Sequence, residues 1–244
     1  MGYSKKEIID KINKIENIEE LYTNKIINYK GITTDTKEKY TEVIAQEILN
    51  NSNKYDFNKV KPIKRDKSYK SNTHSGQINE RSNRREEIIA KKMYKNNYID
   101  IGKILDYQIP LKDKKETKAG KIDLMAYNDL GKKLYLVELK NDSSEETLLR
   151  CALEIITYLK QVDGNRLKVD FDLDSDLEIK SAILIFEGTR PYSDFVQDKY
   201  VNELIKKLKI DVFLAKSEET FNIKKQWHFN LMRIDFYGLF SFSI

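Results

Sequence analysis

The stretch Gly120-Lys121-Ile122-Asp123-Leu124-Met125-Ala126-Tyr127 and, after the turn residues Gly131-Lys132, the stretch Lys133-Leu134-Tyr135-Leu136-Val137-Glu138-Leu139-Lys140 decide the reading of this chain. Both are apolar enough to be strands, and the glycine between them marks a hairpin. Asp123, Glu138 and Lys140 are out of place there, because a charge is costly in an apolar setting. Residues two apart on a strand share a face, so Glu138 and Lys140 point to one side, and the hairpin brings Asp123 beside them. Two carboxylates on one patch repel unless a cation neutralises them. A hard divalent ion such as Mg²⁺ takes oxygen ligands and suits that role, with Lys140 placed to orient or activate an attacking water. A surface hairpin with solvated charges explains less well the uninterrupted run Leu134 to Val137, the mark of a buried strand.

Outward from the hairpin the chain alternates. Upstream, Ser82 is a candidate cap for a helix carrying Ile88, Ile89, Ala90, Met93 and Tyr94, and Ile104 to Leu111 reads as a strand. Downstream come a helix from about Ser144 to Val162, the apolar strand Ser181 to Phe186, a helix from about Phe195 to Lys209 and the short strand Asp211 to Leu214. Strand-like sequence from Trp227 to Phe242 closes the chain. The order is helix, three strands, helix, strand. Toward the N-terminus, apolar residues at three- and four-residue steps predict a helix from Ser4 to about Tyr29 and a second from Thr36 to Leu49. The expected organisation is a helical hairpin over 1–50, a basic polar linker over 51–81 and an α/β domain over 82–244.

Gly120-Lys121-Ile122-Asp123-Leu124 followed by Tyr135-Leu136-Val137-Glu138-Leu139-Lys140 resembles the motif of the PD-(D/E)xK nuclease superfamily, and the likeness covers about residues 82–187. Ile122 stands where the namesake proline would be. The resemblance implies a restriction-endonuclease-like core and a Mg²⁺-dependent deoxyribonuclease, with Mn²⁺ as a substitute ion. It assigns Asp123 and Glu138 to the metal and Lys140 to the attacking water. It also implies a glutamate from the preceding helix: Glu86, which projects toward the apolar face, is preferred to Glu87. DNA is the expected substrate ahead of RNA. The alternative is a catalytically silent nucleic-acid- or protein-binding module on the same fold.

Bulk composition constrains the rest. The 244 residues carry a net charge of +5, which permits an anionic partner without demanding one. Cys151 is the only cysteine, and His74 and His228 stand far apart, so disulfide and zinc scaffolds are not expected. No run of about 18 uncharged apolar residues occurs, and the charged amphipathic start has no apolar signal core, so a cytoplasmic protein is expected. Lys61, Lys64, Arg65 and Lys67 in the linker are candidate phosphate contacts. Arg150, with Glu154 and Tyr158 at four-residue steps and Gln161 beside them, forms a stripe suited to a cleft or to a surface network. Arg190 and Tyr192 follow the strand in a loop that either packs or presents them to nucleic acid, and Trp227, His228, Phe236, Tyr237, Phe240 and Phe242 likewise serve either packing or stacking. A homodimer, or a protein partner held by the N-terminal helices, is the expected assembly.

Overall fold

A computed structural model describes residues 2–79, 82–113, 120–217 and 229–233. Strands β1 (Asn97–Tyr98), β2 (Gly102–Pro110), β3 (Lys121–Asn128), β4 (Lys133–Leu139), β5 (Glu178–Phe186), β6 (Asp211–Ser217) and β7 (Phe229–Arg233) form one mixed sheet in sequence order. The first four are antiparallel neighbours, β4, β5 and β6 run parallel, and β7 returns antiparallel to β6. Helix α3 (Arg85–Met93) precedes β2, and α4 (Leu148–Gln161) and α5 (Gly164–Asp170) make the crossover from β4 to β5. The chain is thus mixed α/β, and around the hairpin the order is α3, the two-residue β1, β2, β3, β4, α4, α5 and β5, one short strand and one short helix more than the sequence pattern predicts. No helix among the described residues is long and apolar enough to cross a membrane.

Side-chain alternation sorts the sheet into two faces. Leu134 and Leu136 of β4 join a core with Met125 of β3 and Cys151 and Ile155 of α4, while Tyr135, Val137 and Leu139 join a second core with Ile89, Ala90 and Met93 of α3. β4 is buried on both sides because it lies between strands and between helices. Glu138 and Lys140 continue the row of Leu134 and Leu136, so they emerge where the α4-side core ends.

Several elements depart from expectation for identifiable reasons. The N-terminal helix α1 stops at Asn13 (Lys5–Asn13), and two short 3₁₀ helices follow, Ile18–Thr23 and Lys25–Asn28. Asn17 and Asn24 end the α-helical pattern by accepting the Glu19 and Ile26 N–H groups on their side chains. The second helix, α2, begins at Tyr40 (Tyr40–Asn50) and packs on α1. Ser82 does not cap α3, whose N-cap is Arg84 without a side-chain bond. Instead, the Ser82 hydroxyl accepts the Arg84 N–H. The long helix expected from Phe195 is two helices, α6 (Arg190–Gln197) and α7 (Lys199–Lys207), parted at Asp198.

The stretch expected as a solvated linker is laid against the domain. Tyr55, Phe57, Val60 and Tyr69 are buried in the same core as α2 and α4. Ile63 N–H bonds to Gln161 O, and Arg166 of α5 donates to Arg65 O and Asp66 O. These four apolar anchors have no helical or strand period, which is why periodicity alone assigns the stretch to a tether.

Candidate active site

A cavity of about 650 Å³ opens at the end of the sheet where β4 finishes and β3 begins, lined by Glu86, Gln108, Asp123, Glu138, Lys140, Glu146, Arg150, Glu154 and Tyr158 among others. The sheet supplies Gln108, Asp123, Glu138 and Lys140. Glu86 reaches in from the first turn of α3 on one side, and Glu146, Arg150, Glu154 and Tyr158 descend in four-residue steps along α4 and its approach on the other. Tyr158 comes close because residue 120 is glycine: a Cβ there would collide with the Tyr158 hydroxyl.

Asp123 and Glu138 fall opposite each other by extension of the register Leu124 to Val137. At that point the ladder gives way to a side chain, since Leu139 N–H donates to Asp123 Oδ2 at 3.0 Å. Gln108 Nε2 donates to Oδ1 at 2.8 Å. The Lys140 ammonium lies 2.7 Å from Glu138 Oε1, 2.9 Å from Glu146 Oε2 and 3.8 Å from Glu86 Oε1. Arg150 Nη1 stands 3.2 Å from Glu146 Oε1, and Tyr158 donates to Glu154 Oε1 at 2.6 Å.

The electrostatics follow from burial and crowding. Glu86, Asp123, Glu138, Glu146 and Glu154 surround two cations, Lys140 and Arg150, so the inner wall carries an excess of negative charge. Burial pushes Asp123 up to about 7, with Lys140 and the Leu139 N–H opposing and Glu86 and Glu154 adding to the rise. Burial likewise raises Glu138 well above its ordinary value, with Lys140 opposing and Asp123 and Glu154 reinforcing. Burial acts to lower Lys140, but Glu138 and the other anionic neighbours outweigh it and hold the ammonium well above 10.5. Burial acts to raise Glu146, yet Lys140 and Arg150 leave it below its usual value.

This donor set fits a hard divalent ion. Carboxylate oxygens of Glu138, Glu146 and Glu154 lie within 4.8 Å of one another, and Glu146 Oε2 is buried without a well-aligned hydrogen bond. Oxygen ligands in that arrangement suit Mg²⁺ or Mn²⁺. Asp123 is not one of the three, although its charge is felt by Glu138.

The residues singled out in the sequence divide into two groups. Asp123, Glu138, Lys140, Glu86 and Arg150 line the cavity. Glu87 also borders it but is paired with Lys91 and Arg84. Lys61, Lys64, Arg65, Lys67 and Arg190 do not border it. Arg65 is buried, its guanidinium donating to Lys112 O and Ser68 O and pairing with Asp113, so it is a clamp within the protein rather than a phosphate contact. Arg190 and Tyr192 sit in the first turn of α6 instead of a loop, and Arg190 Nε bonds to Asp194 at 2.8 Å. Cys151 is buried in the core, and burial raises its thiol pKa. Trp227, His228, Phe236, Tyr237, Phe240 and Phe242 lie outside the described residues. Several lining residues were not among the sequence candidates, Gln108, Asn141 and Glu146 among them. Glu146 was legible as one more step of the row Arg150, Glu154, Tyr158, whereas Gln108 becomes visible only once the β2–β3 register is known. Compared with protein-family models, curated proteins and solved structures, the chain gives no match in any of the three.

Proposed function

We propose that this chain is a metal-dependent nuclease of PD-(D/E)xK type that hydrolyses phosphodiester bonds, in DNA ahead of RNA. The observation that carries the reading is the convergence in one cavity of Asp123, Glu138 and Lys140 from the hairpin, with Glu86 from the preceding helix. The succession of α3, the antiparallel strands β2 to β4, α4 and the parallel strand β5 around them supports the same reading. A bound Mg²⁺ or Mn²⁺ supplies charge neutralisation and Lewis-acid polarisation of a phosphate oxygen. Asp123 and Glu138 are its proposed ligands, and Glu138 also groups with Glu146 and Glu154, whose carboxylates offer a second set of oxygens on the α4 side.

Lys140 stays an ammonium beside these carboxylates, so it has no lone pair with which to take a proton. Its part is to donate hydrogen bonds that orient the attacking water and to stabilise negative charge as the phosphate reacts. Arg84, Arg85 and Lys121 at the rim provide positive charge for the flanking phosphates. The test is incubation of the purified protein with supercoiled, linear and single-stranded DNA and with RNA, in Mg²⁺ and in EDTA. Cleavage in Mg²⁺ that EDTA abolishes is expected. Binding without cleavage in either Mg²⁺ or Mn²⁺ would instead describe a silent nucleic-acid-binding module.

A further inference from the structure

Gln108 lies within β2 at a φ of +51°. Its neighbours keep ordinary pairing, Tyr107 with Leu124 and Ile109 with Ile122, so Gln108 falls opposite Asp123. A residue other than glycine is strained in that left-handed region, and such strain persists only where surrounding structure over-determines it. Here the strained residue aims an amide at the cavity. Gln108 Nε2 donates to Asp123 Oδ1 at 2.8 Å, and Leu139 N–H donates to Oδ2 at 3.0 Å, one donor from each neighbouring strand. An ionised carboxylate only accepts, so the NH₂ end of the amide is the one that faces it. Asp123 is held from both sides, and each oxygen keeps acceptor capacity for a cation.

We infer that Gln108 is a positioning residue, whose amide, delivered by a strained strand backbone, fixes the Asp123 carboxylate in one orientation for the divalent ion. The inference rests on the metal-dependent reading of this site. Groups that orient a metal ligand act on affinity, and their loss weakens metal binding by about 10- to 100-fold.

Two variants separate positioning from backbone architecture. Gln108→Met keeps an unbranched stem and the strained backbone but loses the donor. Gln108→Gly loses the donor and relieves the backbone. Each is compared with the parent chain by Mn²⁺ calorimetry, by thermal midpoint in EDTA and by DNA cleavage across a Mn²⁺ series. Both variants should bind Mn²⁺ at least about tenfold more weakly. Gln108→Gly should melt no lower than Gln108→Met, and saturating Mn²⁺ should recover most of the parent cleavage rate. Parent-like Mn²⁺ affinity in the two folded variants would overturn the inference, leaving Gln108 a feature of strand geometry. A cleavage rate that stays low at saturating Mn²⁺ would also overturn it, by placing Gln108 in contact with substrate. If the parent chain itself binds no Mn²⁺, the metal-dependent reading falls and this inference falls with it.

Discussion

At Asp123 the carboxylate is buried next to Gln108 and Leu139, and burial pushes its pKa up to about 7 from an ordinary 3.8. The folded state therefore holds this proton more tightly than the unfolded chain. The resulting stabilisation is complete below about pH 4 and is lost as pH rises through about 7. In EDTA the protein should lose stability on the order of a few kcal/mol across that window, and Asp123→Asn should make the dependence shallower, leaving the part that the raised Glu138 contributes. Denaturant melts at intervals of pH check it, and an Asp123→Asn profile parallel to the parent's would refute it. Divalent ions should act most strongly at the alkaline end, since they require the ionised carboxylates. Asp123→Ala and Glu138→Ala should each abolish Mn²⁺ binding in calorimetry while the protein stays folded, because each removes a charge from an already crowded wall. Undiminished affinity in both would shift the metal to Glu146 and Glu154.

At the scale of elements, α4 meets the sheet closely because Gly120 leaves room for Tyr158, which in turn holds Glu154. Gly120→Ala should destabilise by roughly 1–3 kcal/mol through overpacking. Combined with Tyr158→Ala, which removes the colliding ring and hydroxyl, the loss should be smaller than the sum of the two single effects. Thermal melts of the four proteins check the coupling, and strict additivity would show that the two residues do not meet. The hairpin and α4 were legible in the sequence because Leu134 to Val137 and the row Cys151, Ile155 and Leu159 obey simple periods. The early end of α1 was not, since it depends on Asn17 and Asn24 competing for backbone N–H groups. Nor was the break between α6 and α7, where Asp198 is buried against Lys39 and Thr41, residues 159 and 157 positions away in the chain. Long-range partners of this kind leave no trace in local pattern, and the contribution of Gln108 was hidden for the same reason.

Over the whole molecule, the N-terminal region shares the core of the α/β domain, and the basic stretch after it runs along the surface with Lys61, Lys64 and Lys67 exposed and Arg65 turned inward. Replacing the three lysines by glutamine should reduce the slope of log DNA affinity against log salt by up to about 3 if they meet phosphates. An unchanged slope would assign them to surface solvation. Arg65→Gln should act on stability instead, by roughly 1–3 kcal/mol, because it removes a buried guanidinium that bonds Lys112 O and Ser68 O and pairs with Asp113. If Lys140 acts on the attacking water of a metal-dependent hydrolysis, as proposed, Lys140→Met is the decisive variant, measured as DNA cleavage at saturating Mg²⁺ with DNA binding followed in Ca²⁺. The ammonium now shares Glu138 and Glu146 with any cation, so the variant should bind divalent ions at least as tightly as the parent chain. It should retain DNA binding and cut slower by about a hundredfold or more. Cleavage by Lys140→Met as fast as by the parent chain would contradict the account, whatever metal the protein binds.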